Sequence, residues 1–153
     1  MIGANPRVST VSAASLRLDG YIGAVTSANL PLRPEYQVVA EDWHLRDGAT
    51  GMAQLLNLAE PPDAVFCFND TLAFGALHAL ATKGLNAPDD VAVIGFDNVP
   101  MAEFSVPPLT TIEPGTDQIA KQAIELLAAR VDGRSGTPSE VVADCSLIVR
   151  RSA

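Results

Sequence analysis

The chain is short of most signatures that announce chemistry. It has no glycine-rich dinucleotide turn, no phosphate-binding Gly-Lys-Ser/Thr loop and no nucleophile elbow. No Ser or Cys stands near a His in a context that suggests a nucleophile and its base. With no catalytic constellation in view, the chain reads as a non-enzyme. Basic residues are scarce as well. Ten Lys and Arg face 18 Asp and Glu, a net charge of −8, which argues against this chain alone gripping a phosphate backbone. No uncharged run reaches the roughly 18 apolar residues of a membrane span. The opening Met1-Ile2-Gly3-Ala4-Asn5-Pro6 lacks the charged start and long apolar stretch of a secretion signal. The expectation is a soluble, cytoplasmic domain without a membrane partner.

The two cysteines, Cys67 and Cys145, lie in apolar, strand-like runs where a free thiol acts as a small hydrophobe. A disulfide between them stays open, but two cysteines make no scaffold. His44 and His78 are far apart and without neighbours at ligand spacing. Neither a metal nor another cofactor is implied. What the chain has in quantity is apolar residues, 48% against 18% charged over 153 residues, enough for one folded domain with a real core.

Periodicity divides the chain into alternating strands and helices. A helix is expected over about Ser12 to Asn29, stopped by Pro31 and Pro34, then a strand over Tyr36 to Ala40. A second helix, roughly Asp47 to Leu58, ends at Pro61-Pro62. Ala64 to Phe68 is a continuous apolar run of strand length, as in a parallel strand covered on both faces. The next helix carries Leu72, Ala73, Ala76, Leu77 and Leu80 at helical spacing, with Asp70 as candidate N-cap and Gly84 as left-handed stop. Val91 to Phe96 is another buried strand, closing a parallel strand–helix–strand unit. Val99 to Glu113, with Pro100, Pro107 and Pro108, reads as irregular. A long helix follows from about Gly115 to Val131, and Val141-Val142 and Leu147 to Val149 close the chain as a strand or two. The fold class is α/β.

In an open α/β sheet, ligands bind beyond the carboxyl ends of the strands. The strand ends here carry Glu41-Asp42-Trp43, Asn69-Asp70 and Asp97-Asn98, with Arg17 early in the first helix. A carboxylate, an amide, a guanidinium and the sole indole suit a small molecule rich in hydroxyls or amides. Each has a plainer reading. Asp70 can be only a helix cap, Asp97 can satisfy loop amides, Arg17 can be a solvated surface residue and Trp43 can be core. Asn69 has no evident capping duty beside Asp70, which leaves a binding role open. His78, beside Leu77, reads as a packing or interface residue. An enzyme using Asp70 or Asp97 as acid, base or phosphoacceptor would need a second catalytic partner that the sequence does not supply.

Taken together, several segments resemble the effector-binding region of the LacI/GalR family of bacterial regulators. They are Arg17-Leu18-Asp19-Gly20-Tyr21, Pro62 through Leu77 with its Phe68-Asn69-Asp70-Thr71, Pro88 through Asp97, Pro107-Pro108-Leu109-Thr110-Thr111-Ile112, and Leu147 through Ser152. The motifs run in the family's order over nearly the whole chain. The resemblance implies a type I periplasmic-binding-protein-like fold, with a parallel sheet flanked by helices in each of two lobes that close on a sugar or nucleobase-like effector. Residues 1–112 would belong to the C-terminal lobe, 113–135 would form a crossover helix of the other lobe, and 136–153 would be a return strand and tail.

By matching motif positions, Arg17, Trp43, Asn69 and Asp97 correspond to the family's effector contacts. Leu72, His78, Met101 and Phe104 fall on the faces through which the family forms homodimers. Pro114 stands near where the family commonly has a cleft-facing Gln, a departure from the family's pattern at one polar contact. The match starts at Ile2-Gly3, so the fold is expected to be truncated at its N-terminus. The helix-turn-helix through which such a regulator reads operator DNA, and most of the first lobe, would lie outside these residues. The expected role is effector sensing and dimerisation within a transcriptional regulator. The alternative is a periplasmic-type solute-binding protein serving a sugar transporter. A sheet lacking a strand, and a long helix lacking its lobe, would favour self-association and weaken effector affinity.

Overall fold

The computed structural model describes residues 1–4, 12–134, 137 and 140–153. Strand β1 (Ile2–Ala4) pairs in parallel with β2 (Val38–Val39), and a bridge from Ile2 to Cys67 joins this pair to the main sheet. That sheet has the order β3 (Ala64–Phe66), β4 (Ala92–Phe96), β5 (Thr110–Glu113), β6 (Ser146–Ile148). The first three are parallel and β6 runs antiparallel to β5. The helices are α1 (Ala13–Ser27), α2 (Leu45–Leu56), α3 (Asp70–Thr82), the short α4 (Met101–Phe104) and α5 (Thr116–Val131). The expected parallel α/β unit is thus present as β3–α3–β4, and Gly84 follows α3 with φ +72°.

The core lies between the sheet and the α2–α3 pair. Ile2, Met52, Leu55, Phe68, Leu72, Leu80 and Leu109 are all inaccessible or nearly so, and each contributes about 1.5–3 kcal/mol by leaving water. Two glycines let the helices touch backbone to backbone. A Cβ on Gly48 of α2 would collide with the Leu72 carbonyl, and one on Gly75 of α3 would collide with that of Leu45.

Several expectations are corrected here. The 36–40 strand is a single turn of 3-10 helix (Pro34–Tyr36) followed by only two strand residues. The Pro-rich stretch is not wholly irregular, because it contains α4 and β5. Val141 and Val142 are exposed and outside any strand, and Cys145, one residue before β6, is exposed rather than core. Both cysteines are free.

Helix α5 buries none of its residues, and Ile119, Ile124, Leu126, Leu127 and Val131 are all exposed. Beyond it the chain returns to the sheet, where Ser152 accepts a hydrogen bond from the Val93 amide through its carbonyl (2.7 Å) and from the Thr110 amide through its hydroxyl (2.8 Å). No helix among the described residues is long and apolar enough to cross a membrane.

Candidate effector-binding wall

The four residues singled out as ligand contacts lie together at the carboxyl end of the sheet. Arg17, in the second turn of α1, reaches back over the strand ends, where its Nη1 donates to the carbonyl of Phe68. Its guanidinium carbon lies 3.8 Å from the centroid of the Phe96 ring and 5.4 Å from that of Trp43, distances that allow cation–π attraction. Its Nη2 is 3.7 Å from the Asp97 carboxylate. Burial lowers the Arg17 pKa, and the Asp97 carboxylate opposes that shift. Burial likewise pushes the Asp97 carboxyl upward while Arg17 holds it down. The Asp97 side chain is 40% exposed and that of Arg17 18%, so the carboxylate is the more open of the two.

Trp43 is held edge-on to Phe68, their centroids 5.9 Å apart, and its Nε1 donates to the Gly3 carbonyl at 3.1 Å. Its ring is half-buried, neither free nor wholly core. Asn69 corrects the capping assignment. Its Oδ1 accepts from the Leu72 amide at 2.7 Å, making Asn69 rather than Asp70 the N-cap of α3. Its Nδ2 lies 3.4 Å from the Trp43 carbonyl.

Asp70 is inaccessible to solvent. Its Oδ2 accepts from the Val99 amide at 2.9 Å and its Oδ1 accepts from the Thr111 hydroxyl. A Cβ at Gly95 would strike this carboxylate, so β4 carries glycine where Asp70 passes. Burial raises the Asp70 pKa, and the bonds from Thr111 and Val99 counter it. Asp70 therefore ties the start of α3 to the loop after β4 and to β5. It is fully enclosed and touches no ligand space.

Sequence reasoning missed Phe96 and the part played by Asn98. Phe96 lies beneath Arg17, and the signal for it was its place as the last residue of β4, next to Asp97. Asn98 donates through Nδ2 to Glu113 at 3.0 Å and accepts at Oδ1 from Arg150 Nη2 at 2.9 Å. Nothing in the local pattern marks partners 15 and 52 residues away. The site is one open wall carrying two aromatic rings, a cation, a carboxylate and a carboxamide. It offers hydrogen bonds and stacking for a polar ring, and no nucleophile–base pair. Among the described residues no three His, Cys, Asp or Glu side chains gather as a metal site.

The residues expected at a dimer face divide. Leu72 is completely buried against α2 and is unavailable to any partner. His78 is exposed, as are Met101 (60%) and Phe104 (73%). His78 and Met101 line a surface groove of about 350 Å³ with Phe74, Leu77, Ala81, Ser105 and Val106.

Comparison with known proteins matches all of residues 1–153 to the periplasmic binding protein-like domain. The chain belongs to that family. It is 38% identical over 136 residues to the HTH-type transcriptional repressor CytR of Escherichia coli K12, covering 89% of this chain and 40% of CytR. A putative LacI-family transcriptional regulator from Sanguibacter keddieii superposes with a TM-score of 0.90 at 38% identity, over 99% of this chain and 56% of that one. The transcriptional regulator CelR in complex with cellobiose gives 0.86 at 31% identity, over 99% and 45%. The chain thus spans about 40% of the curated repressor and about half of the regulators of known structure. It corresponds to part of a periplasmic-binding-protein-like effector domain.

Proposed function

We propose that this chain is the effector-sensing and dimerising part of a LacI/GalR-type transcriptional regulator, acting in the cytoplasm without bond chemistry. The observation that carries the reading is the convergence of Arg17, Trp43, Asn69 and Asp97 on one open wall at the strand ends. The effector is a sugar or nucleobase-like molecule. Asp97 accepts hydrogen bonds from its hydroxyl or amide groups, Arg17 donates, and the Trp43 ring and the Arg17–Phe96 stack flank its flat face. Asn69 contributes through whatever donor capacity its capping and Trp43 contacts leave.

In the whole protein, residues 1–112 form one lobe, 113–135 cross into the other, and 136–153 return. The unburied α5 and the chain end bound back into the sheet support that division. An effector binding the closed arrangement better than the open one shifts the population toward it. A helix-turn-helix outside these residues would read the operator, which agrees with a net charge of −8 here. His78, Met101 and Phe104 form part of a homodimer face. Similarity to repressors and LacI-type regulators favours this reading over a transporter's solute-binding protein.

Trp43 is the only tryptophan, so its fluorescence reports on the wall directly. Titration with mono- and disaccharides and with nucleosides is expected to give a saturable change with one of the two classes. That change should be lost in Asp97→Ala. No response to any compound of either class, or a response unchanged in the variant, would overturn the reading.

A further inference from the structure

We propose that Asn98 is a positioning residue for Asp97, linking the effector-facing wall to the crossing into α5. The proposal rests on Asp97 facing the effector. Asp97 and Asn98 both have positive φ, +117° and +50°. Asn tolerates its value well, whereas Asp97 lies outside the usual left-handed basin and has to be held there. The backbone is fixed on three sides. The Asp97 amide donates to Ile112 at 2.9 Å, the Val99 amide donates to the buried Asp70 at 2.9 Å, and the Asn98 amide lies 3.4 Å from the Thr111 hydroxyl.

The Asn98 side chain closes the fourth side, and both ends of its carboxamide are used. Arg150 is itself anchored by donating Nη1 to the Leu109 carbonyl at 2.8 Å, and it presents Nη2 to Asn98 Oδ1. Asn98 Nδ2 then donates to Glu113 Oε2. The other oxygen of Glu113 accepts from both the amide and the hydroxyl of Thr116, each at 3.0 Å. Thr116 is the first residue of α5, and Gly115 just before it is left-handed at φ +75°. One continuous hydrogen-bonded path therefore runs from the tail, through the turn bearing Asp97, to the point where the chain leaves the sheet for α5. A change of angle at the crossing that moves Glu113 is passed to the Asp97–Asn98 turn through this bond.

Three variants separate this role from a simple need for a left-handed residue. Asn98→Gly keeps the backbone freedom and deletes the carboxamide. Asn98→Asp keeps the Arg150 contact and turns the donor facing Glu113 into a second carboxylate oxygen. Asn98→Asp with Glu113→Gln restores one donor and one acceptor with the polarity reversed, and the new carboxamide keeps an oxygen for Thr116. NMR on the chain without ligand reads two quantities, the three-bond HN–Hα coupling of Asp97, which reports its φ, and amide hydrogen exchange at Thr116.

Asn98→Gly and Asn98→Asp are expected to lose the fixed Asp97 coupling and to speed Thr116 exchange about tenfold or more. The double variant should recover both. A wild-type coupling and exchange rate in Asn98→Gly would overturn the proposal, as would a double variant no better than Asn98→Asp. Because no effector is used, the outcome is independent of the fluorescence titration and distinguishes failure of this link from failure of the effector reading.

Discussion

Removing the Asp70 carboxylate tests whether one buried side chain holds three elements together. Asp70→Ala leaves the Val99 amide and the Thr111 hydroxyl without their acceptor in a site closed to water. Each orphaned donor costs about 1–3 kcal/mol. Relief from burying a carboxylate, the cause of its raised pKa, offsets part of that. The expected net loss is about 2–4 kcal/mol, a large share of the roughly 5–15 kcal/mol that holds a typical domain.

Asp70→Asn keeps the shape and one acceptor, and Thr111 can turn its hydroxyl to accept from the new amide, so about 1 kcal/mol is expected. The pH dependence has a definite sign. Folding raises the Asp70 pKa, so the folded state binds this proton more tightly than the unfolded state. The stability contributed by that proton is fully present below the ordinary carboxylate pKa. It declines as pH rises through the raised value. The deficit of Asp70→Asn should therefore be largest in acid and shrink toward neutrality. Urea unfolding followed by Trp43 fluorescence at pH 4 and pH 7 measures both effects. An Asp70→Ala variant within 1 kcal/mol of wild type, or an Asn deficit that grows with pH, would refute this reasoning.

Other consequences follow from the same packing. Gly75→Ala drives a methyl into the Leu45 carbonyl and should cost about 3 kcal/mol in urea unfolding by forcing α2 and α3 apart. Phe104→Glu places a charge at an exposed position of α4, the helix that also carries Met101. On the proposed homodimer face, this change should weaken dimerisation at least tenfold in sedimentation equilibrium without lowering unfolding stability. Burial pushes the Cys67 thiol up to about 12, so at pH 8 a maleimide should modify one cysteine per chain, the exposed Cys145. Cys67 should react only on unfolding, and rapid double labelling in native buffer would contradict that.

How much of this was legible in the sequence depended on how far apart the partners lie. The β3–α3–β4 unit could be read because its apolar runs are local and Gly84 closes the helix. The cap of α3 falls to Asn69 rather than Asp70, and the sequence could not separate them because both are cap-forming residues side by side. Only the packing of Val99 and Thr111, 29 and 41 residues away, shows that the Asp70 carboxylate is a buried tie rather than a cap. Leu72 belongs by its helical spacing to the apolar face that the fold buries; only the family resemblance put it on a dimer face. The turn of α4 and the strand β5 were hidden by prolines that sit at their edges rather than inside them. The wall itself was visible as a set of polar strand ends. The roles of Phe96 and Asn98 were not, because they exist only once Arg17, Arg150 and Glu113 fold over them.

The most direct test of the central claim is the Trp43 fluorescence titration with saccharides and nucleosides, performed on wild type, Arg17→Ala and Asp97→Ala. With a single open wall, the affinity expected is weak, with Kd about 1 mM, or roughly 4 kcal/mol of binding. One class should give a saturable change that both variants abolish while remaining folded. A titration in which neither class changes the emission, or in which the change survives loss of both side chains, would contradict the account.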